Sequence, residues 1–301
     1  MKNKKSSPKR IVVLYHADCP DGFGAAWAAW KKLGNTARYI AVPPNNRELP
    51  KVAKDADVFT LDYSFPADVI ARVTKEVKSL TVIDHHVSNT KAVRMAGSGL
   101  FDLKHSGAVL AWQYFHSKKP VPKLLRHVED YDLWKFRIRY AREIAEALPL
   151  YDMNFPTWEK IARDFEHGKK KKYIEEGKVL IRQRDRRIGR LIGFGEKLTF
   201  EGYKALMVNS PFYVSEIGHS IVRHGTPVAI IWSRREGKVV VSLRSDGREV
   251  DVAKLAERFG GGGHPAAAGF TIKVKDFLKF RSLSSSRRRG SNLKNKINPN
   301  A

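Results

Sequence analysis

Between residues 10 and 86, short apolar runs alternate with stretches of helical period, and this rhythm restricts the fold more than any other feature of the chain. "RIVVLYH" is a short apolar run that fits a strand. "GFGAAWAAWKKLG" has the alanines and tryptophans of a buried helix and closes on Gly34. "ARYIAV" and "DVFTLDYS" follow as strands, "PADVIARVTKEVK" as a helix opened by proline, and "SLTVIDHH" as a fourth strand. Strands separated by helices imply an α/β fold whose mostly parallel sheet has helices on both faces. Trp27, Trp30 and Trp112 then belong to the helix–sheet core.

Further on, "SGAVLAWQYFHS", "VPKLLRHVEDYDLW" and "REIAEALPLYD" have helical patterns, and "TWEKIARDFEHGKKKKYIEEGKVLIRQRDRRIGRLIG" is one long helix or two. From Lys197 the pattern resets. "TPVAIIWSRREGKVVVSLRS" is a hairpin, "DVAKLAERF" a helix, and "GGGGHPAAAGFTIKV" closes the ordered part. The expected division is a basic tail at 1–9, a catalytic domain at 10–150, a basic helical linker at 151–196, a smaller α/β substrate-binding domain at 197–280, and a disordered basic tail at 281–301.

The formal net charge of +25 calls for a polyanionic partner such as nucleic acid. Nonspecific contact through the basic linker and tail is one expectation. No apolar run approaches the roughly 18 residues of a membrane span, so no membrane role is expected. The one cysteine, Cys19, excludes an internal disulfide and fits a reducing, cytoplasmic setting. A homodimer is left open.

In parallel sheets, ligands bind beyond the carboxyl ends of the strands. His16, Asp18 and Asp21 follow the first strand, Asp62 the third, and Asp84, His85 and His86 the fourth. Glu129, Asp130 and Asp132 lie on or near a helix. Adjacent strand residues face opposite ways, so His85 and His86 should have different tasks. Carboxylates and imidazoles without a thiolate suit Mn²⁺, Mg²⁺ or Fe²⁺ more than a structural zinc, and so many donors suggest two ions. Cys19 is read as a small filler, and Ser106 as a helix cap. Gly261, Gly262, Gly263 and His264 form a segment whose backbone can approach a phosphate or sugar, and Arg244 at a strand end can grip a phosphate.

"HADCPDG", "DHH" and "GGGGHPAAAG", in that order, resemble the DHH phosphoesterase superfamily with its DHH-associated C-terminal domain. The resemblance spans roughly residues 10–275. It implies that His16, Asp18 and Asp21 are metal ligands, that Asp62 bridges two ions, and that His85 is a ligand, with Asp84 either orienting it or serving as a structural partner at the strand end. It assigns His86 to the phosphate and places a further ligand at Asp130, with Asp132 as the rival. His264, its glycines and Arg244 would hold the substrate's far end. The family commonly spaces its first aspartates as D-x-D, whereas Asp18 and Asp21 here flank Cys19-Pro20.

The expected activity is hydrolysis of phosphodiester bonds in short oligonucleotides by a water activated between two divalent ions, Mn²⁺ first and Mg²⁺ second. His86 and Asp84 are the expected catalytic pair. The alternatives are a cyclic-dinucleotide or nucleoside-phosphate phosphohydrolase, and a noncatalytic nucleic-acid-binding protein.

Overall fold

The computed structural model describes residues 10–43, 46–52, 54–277 and 280. The two expected basic tails, 1–9 and 281–301, lie outside these residues. The chain divides into two compact units, 1–181 and 182–301.

The first unit is built on β1 (Ile11–His16), β2 (Ala37–Val42), β3 (Asp57–Leu61), β4 (Ser79–Asp84) and β5 (Gly99–Phe101). They form one parallel sheet in the order β2-β1-β3-β4-β5. Strand alternation sorts the side chains between two cores. Val13, Leu61 and Ile83 pack under α1 (Pro20–Leu33), α4 (Gly107–Phe115), α5 (Lys123–Asp132) and α7 (Phe155–Glu166). Val12, Leu14, Val58 and Val82 face the other way, against Val69, Ile70 and Val73 of α2 (Ala67–Glu76) and Val93 of α3 (Thr90–Ala96). Trp27 and Trp112 stack in the first core, where Trp30 is partly buried, as expected of all three.

Residues 151–196 are shared between the units. They form two helices, α7 and α8 (Lys171–Gly193), parted at Gly168, whose φ of 73° suits glycine. Trp158, Phe165 and Tyr173 lie in the core of the first unit, while Ile188 lies in a core of the second. Gly177 continues α8 because any Cβ there would meet the Glu143 carbonyl oxygen of α6 (Ala141–Ala147).

The second unit is a mixed sheet in the order β10-β11-β9-β8-β7-β6. Its strands are β6 (Glu196–Phe200), β7 (Tyr203–Asn209), β8 (Val228–Arg235), β9 (Lys238–Arg244), β10 (Gly262–His264) and β11 (Ala267–Lys273). The expected hairpin is β8–β9, turning at Glu236 and Gly237 with φ of 49° and 74°, the backbone that a tight hairpin turn requires. Helix α9 (Val214–Arg223) crosses between the parallel pair β7 and β8 and packs Ile217 and Ile221 on Ala229 and Ile231. Helix α10 (Val252–Glu257) packs on the opposite face with Val241 and Leu243. The glycine run is partly a strand: Gly262–His264 pairs antiparallel with β11. No helix among the described residues is long and apolar enough to cross a membrane.

Trp158 is 1% exposed and meets Phe23 edge to face at 5.1 Å. Trp158→Ala is therefore expected to cost about 3–5 kcal/mol of stability, measured as a lowered urea midpoint.

Candidate metal centre

In sheet order β1 lies between β2 and β3, so the chain leaves it in opposite directions and a crevice opens at the carboxyl ends of β1 and β3. His16 ends β1 and Asp62 follows β3. Asp62 adopts a φ of 53°, and its N–H donates to the Ile83 carbonyl at 2.9 Å. Two glycines make the crevice narrow. A Cβ at Gly22 would lie 2.3 Å from the His16 carbonyl oxygen, and one at Gly107 would lie 2.4 Å from the Asp62 Cβ. Helix α1 can therefore start hard against the end of β1, and α4 hard against Asp62.

Five groups converge there. His85 Nε2 lies 3.2 Å from Asp62 Oδ1, 3.5 Å from Asp132 Oδ2 and 3.7 Å from Asp21 Oδ2. On the other side, His16 Nδ1 is 3.4 Å from Asp62 Oδ2. Asp62 and Asp21 are 3% and 1% exposed. The Asp21 carboxylate accepts the N–H groups of Gly107 and Ala108 at 2.7 and 3.1 Å, which anchors it on the first turn of α4.

The electrostatics follow from this crowding. Burial pushes the Asp62 carboxyl up, but His16, His85 and His86 outweigh it and bring the pKa down to about 2. Burial, then the charges of Asp62 and Asp132, hold Asp21 well above the usual carboxylate range. Burial and Asp62 raise Asp132 to about 6. Burial would lower His85, yet Asp62 and Asp132 leave it raised. Burial, then Asp62 and Asp21, push the Cys19 thiol up.

A divalent cation fits this arrangement. Asp62 Oδ1 and His85 Nε2 are both buried and neither has a hydrogen-bond partner, although only 3.2 Å separates them. Orphaned polar atoms that face one another among carboxylates satisfy their lone pairs and charge by coordination. Among the described residues, three donor groups meet the spacing of a metal site: Asp21 with His85 and Asp132, Asp62 with His85 and His86, and His16 with Cys19 and Asp62.

The expected residues are not all brought together. Asp130 is turned away, and both its oxygens accept backbone N–H groups, from Arg137 and Ile138 at 2.9 and 3.1 Å. Asp130 closes the loop after α5, and Asp132 takes the place beside His85 that Asp130 was expected to fill. Asp18 is exposed, with a φ of 53°, and is in none of the three donor groups. Cys19, expected to be a filler, is in one. Asp84 orients His86 rather than the ring of His85. Its Oδ1 accepts from His86 Nδ1 at 2.7 Å and from the backbone N–H groups of His85 and His86, and its Oδ2 accepts from Asn89. That bond raises His86 to about 9 against the pull of burial. Ser106 caps α4, accepting the Val109 N–H. The Cys19-Pro20-Asp21 spacing was the signal available for Cys19, and no comparable signal separated Asp130 from Asp132.

In the second unit, His264, Ala267 and Arg244 stand opposite one another on three neighbouring strands, so they share one face of the sheet. His264 and Arg244 are therefore two strand spacings, about 10 Å, apart. Gly262, Gly263 and His264 are exposed, and Gly261 is half-buried. Gly218 of α9 makes room for the Arg244 stem, since a Cβ there would lie 2.4 Å from its Cγ. Arg244 Nη2 donates to Ser215 Oγ at 3.1 Å.

Residues 219–285 match the DHHA1 domain family. Over 91% of its length the chain superimposes on RecJ from Thermus thermophilus in complex with Mn²⁺, with a TM-score of 0.55 and 18% identity, spanning 51% of that protein. The chain shares the fold of RecJ, and its second unit carries the DHHA1 match. The pGpG-specific phosphodiesterase PggH from Vibrio cholerae shares the fold at a TM-score of 0.52 and 13% identity, over 91% of this chain and 97% of that one. An uncharacterized protein of Acanthamoeba polyphaga mimivirus, R106, is 26% identical over 298 residues, which is 90% of this chain and 70% of that protein. Arg244 and His264 both lie within the matched DHHA1 segment.

Asp132 at about 6 and His86 at about 9 are raised above their usual 3.8 and 6.5. The stability tied to each protonated form is complete below the usual value and is lost as pH rises through the raised one. Without metal, the melting temperature should fall between about pH 4 and 6 through Asp132 and again between about pH 6.5 and 9 through His86. Mn²⁺, which needs the deprotonated carboxylate, should stabilise increasingly above pH 6. Thermal melts in chelator and in Mn²⁺ check both trends.

Proposed function

We propose that this protein is a divalent-metal-dependent phosphodiesterase acting on short oligonucleotides. The observation that carries this reading is the convergence of Asp21, Asp62, Asp132, His16 and His85 around two unpartnered buried atoms at the carboxyl ends of a parallel sheet. Two ions, Mn²⁺ first and Mg²⁺ second, would be held by these residues, with Asp62 shared between them. Bound there, the ions would supply positive charge for the phosphoryl oxygens and an activated water for attack in line.

The chain's own groups set the conditions for that chemistry. Asp84 is fully buried, accepts the backbone N–H groups of His85 and His86, and faces His86 Nδ1 at 2.7 Å, which favours a proton on that nitrogen. With its pKa near 9, His86 is cationic at neutral pH, and at 43% side-chain exposure it can meet a phosphoryl group. The backbone N–H groups of α4 fix the Asp21 carboxylate, and Gly107 lets Asp62 sit against that helix. The DHHA1 domain contributes recognition, with Arg244 for a phosphate and His264 for the base or sugar. The net charge of +25 suits a polyanionic substrate. RecJ is an exonuclease and PggH a pGpG-specific phosphodiesterase, which favours short nucleotide chains over other phosphoesters.

Product analysis on di- to pentanucleotides, pGpG and cyclic di-AMP, with Mn²⁺ and with chelator, tests the reading. Linear substrates should be cleaved faster than the cyclic one, and chelator should stop the reaction. Faster turnover of cyclic di-AMP would replace the substrate. Asp62→Ala should lower the rate at least about 100-fold, and undiminished hydrolysis would refute the metal-dependent mechanism. His86→Ala should keep Mn²⁺ binding by calorimetry yet lower kcat, as expected of a residue that meets the phosphate rather than the ion.

A further inference from the structure

Cys19 has no task in the proposed reaction, yet it lies within the metal cluster. It forms the turn between β1 and α1, directly before Pro20 at the first helical position. Its sulfur, a ring nitrogen of His16 and a carboxylate oxygen of Asp62 all lie within 4.8 Å of one another. Asp62 is 3% exposed; its Oδ2 lies 3.4 Å from His16, and its Oδ1, on the His85 side, has no hydrogen-bond partner, so this buried carboxylate wants a cation. Building on the metal-dependent reading, we propose that Cys19 is a thiolate ligand of the ion held by His16 and Asp62.

Two observations favour a ligand over a filler. A filler thiol sits among apolar groups, whereas Cys19 is faced by the carboxylates of Asp62 and Asp21. Counted from Cys19, the segment Cys19-Pro20-Asp21 has the spacing of the D-x-D pattern it resembles, with cysteine in the place of the first aspartate. Asp18, the carboxylate nearest to that place in sequence, is exposed and outside the cluster. The thiol gives its proton to solvent as the sulfur–metal bond forms. A thiolate is a softer donor than a carboxylate, so Cys19 moves the preference of this site from Mn²⁺ and Mg²⁺ toward Zn²⁺, Fe²⁺ and Co²⁺.

The chain has one cysteine, so any thiolate signal has one source. The test is the absorption spectrum of the full-length protein, freed of metal by chelator and loaded with Co²⁺, beside Cys19→Ser and Cys19→Asp. Visible d–d bands are expected in all three. A near-ultraviolet sulfur-to-cobalt charge-transfer band is expected in the wild type alone. Cys19→Asp, which restores a carboxylate of similar reach, should also shift the ratio of Mn²⁺ to Zn²⁺ affinity toward Mn²⁺ by calorimetry. Wild-type d–d bands without the charge-transfer band would overturn the thiolate ligand and leave the metal-dependent reading standing. Absence of both kinds of band would overturn both.

Discussion

The buried carboxylate of Asp62 is the constraint on which the rest of the centre depends. A charge taken out of water costs several kcal/mol unless it is paired. His16 and His85 approach Asp62 from two sides, at 3.4 and 3.2 Å, and give it partial compensation. Asp21 and Asp132 crowd the same space, and burial, then the charge of Asp62, raises both. A cluster with this balance gains from a cation. Local backbone features that look costly alone are explained by it: the left-handed Asp62, the bare Gly107 beside it, and Gly22 against the end of β1.

The same constraint determines what α4 does. A helix N-terminus is a ready site for an anion. Here the anion is part of the protein, because Gly107 and Ala108 donate to Asp21 and Ser106 caps Val109. The donors that could have held a phosphate are used to hold a carboxylate in place. Positive charge for a substrate must then come from other groups, among them the half-exposed His86. Its bond to Asp84 separates it from His85: one ring points its free nitrogen at three carboxylates, and the other is kept protonated by one.

The second unit solves a different problem with small residues. Antiparallel pairing puts His264 and Arg244 on one face with only Ala267 between them, and the neighbouring Gly262 and Gly269 are paired with no side chain to cover that face. Gly218 lets α9 approach the sheet closely enough to support the Arg244 stem. The glycines therefore act as part of a sheet surface, where their run in the sequence suggested a loop.

Much of the fold was legible because its signals are local. Strand and helix periods marked the four main strands of the first unit, its helices apart from the seven-residue α3, and the β8–β9 hairpin. The short β5 and β10, of three residues each, are too brief to show a period. The candidate site was legible only to the extent that strand ends could be located, which placed His16, Asp62, Asp84, His85 and His86 on one rim. The sequence by itself determined which residue types gather there. Which of them meet was decided by the tertiary structure, because the choice between Asp130 and Asp132, or between Asp18 and Cys19, turns on one or two residues of helix rotation or turn geometry. Those rotations are set by packing: Asp130 is held by two backbone N–H groups of the loop after α5, and α1 is seated by the fit of Gly22 against His16.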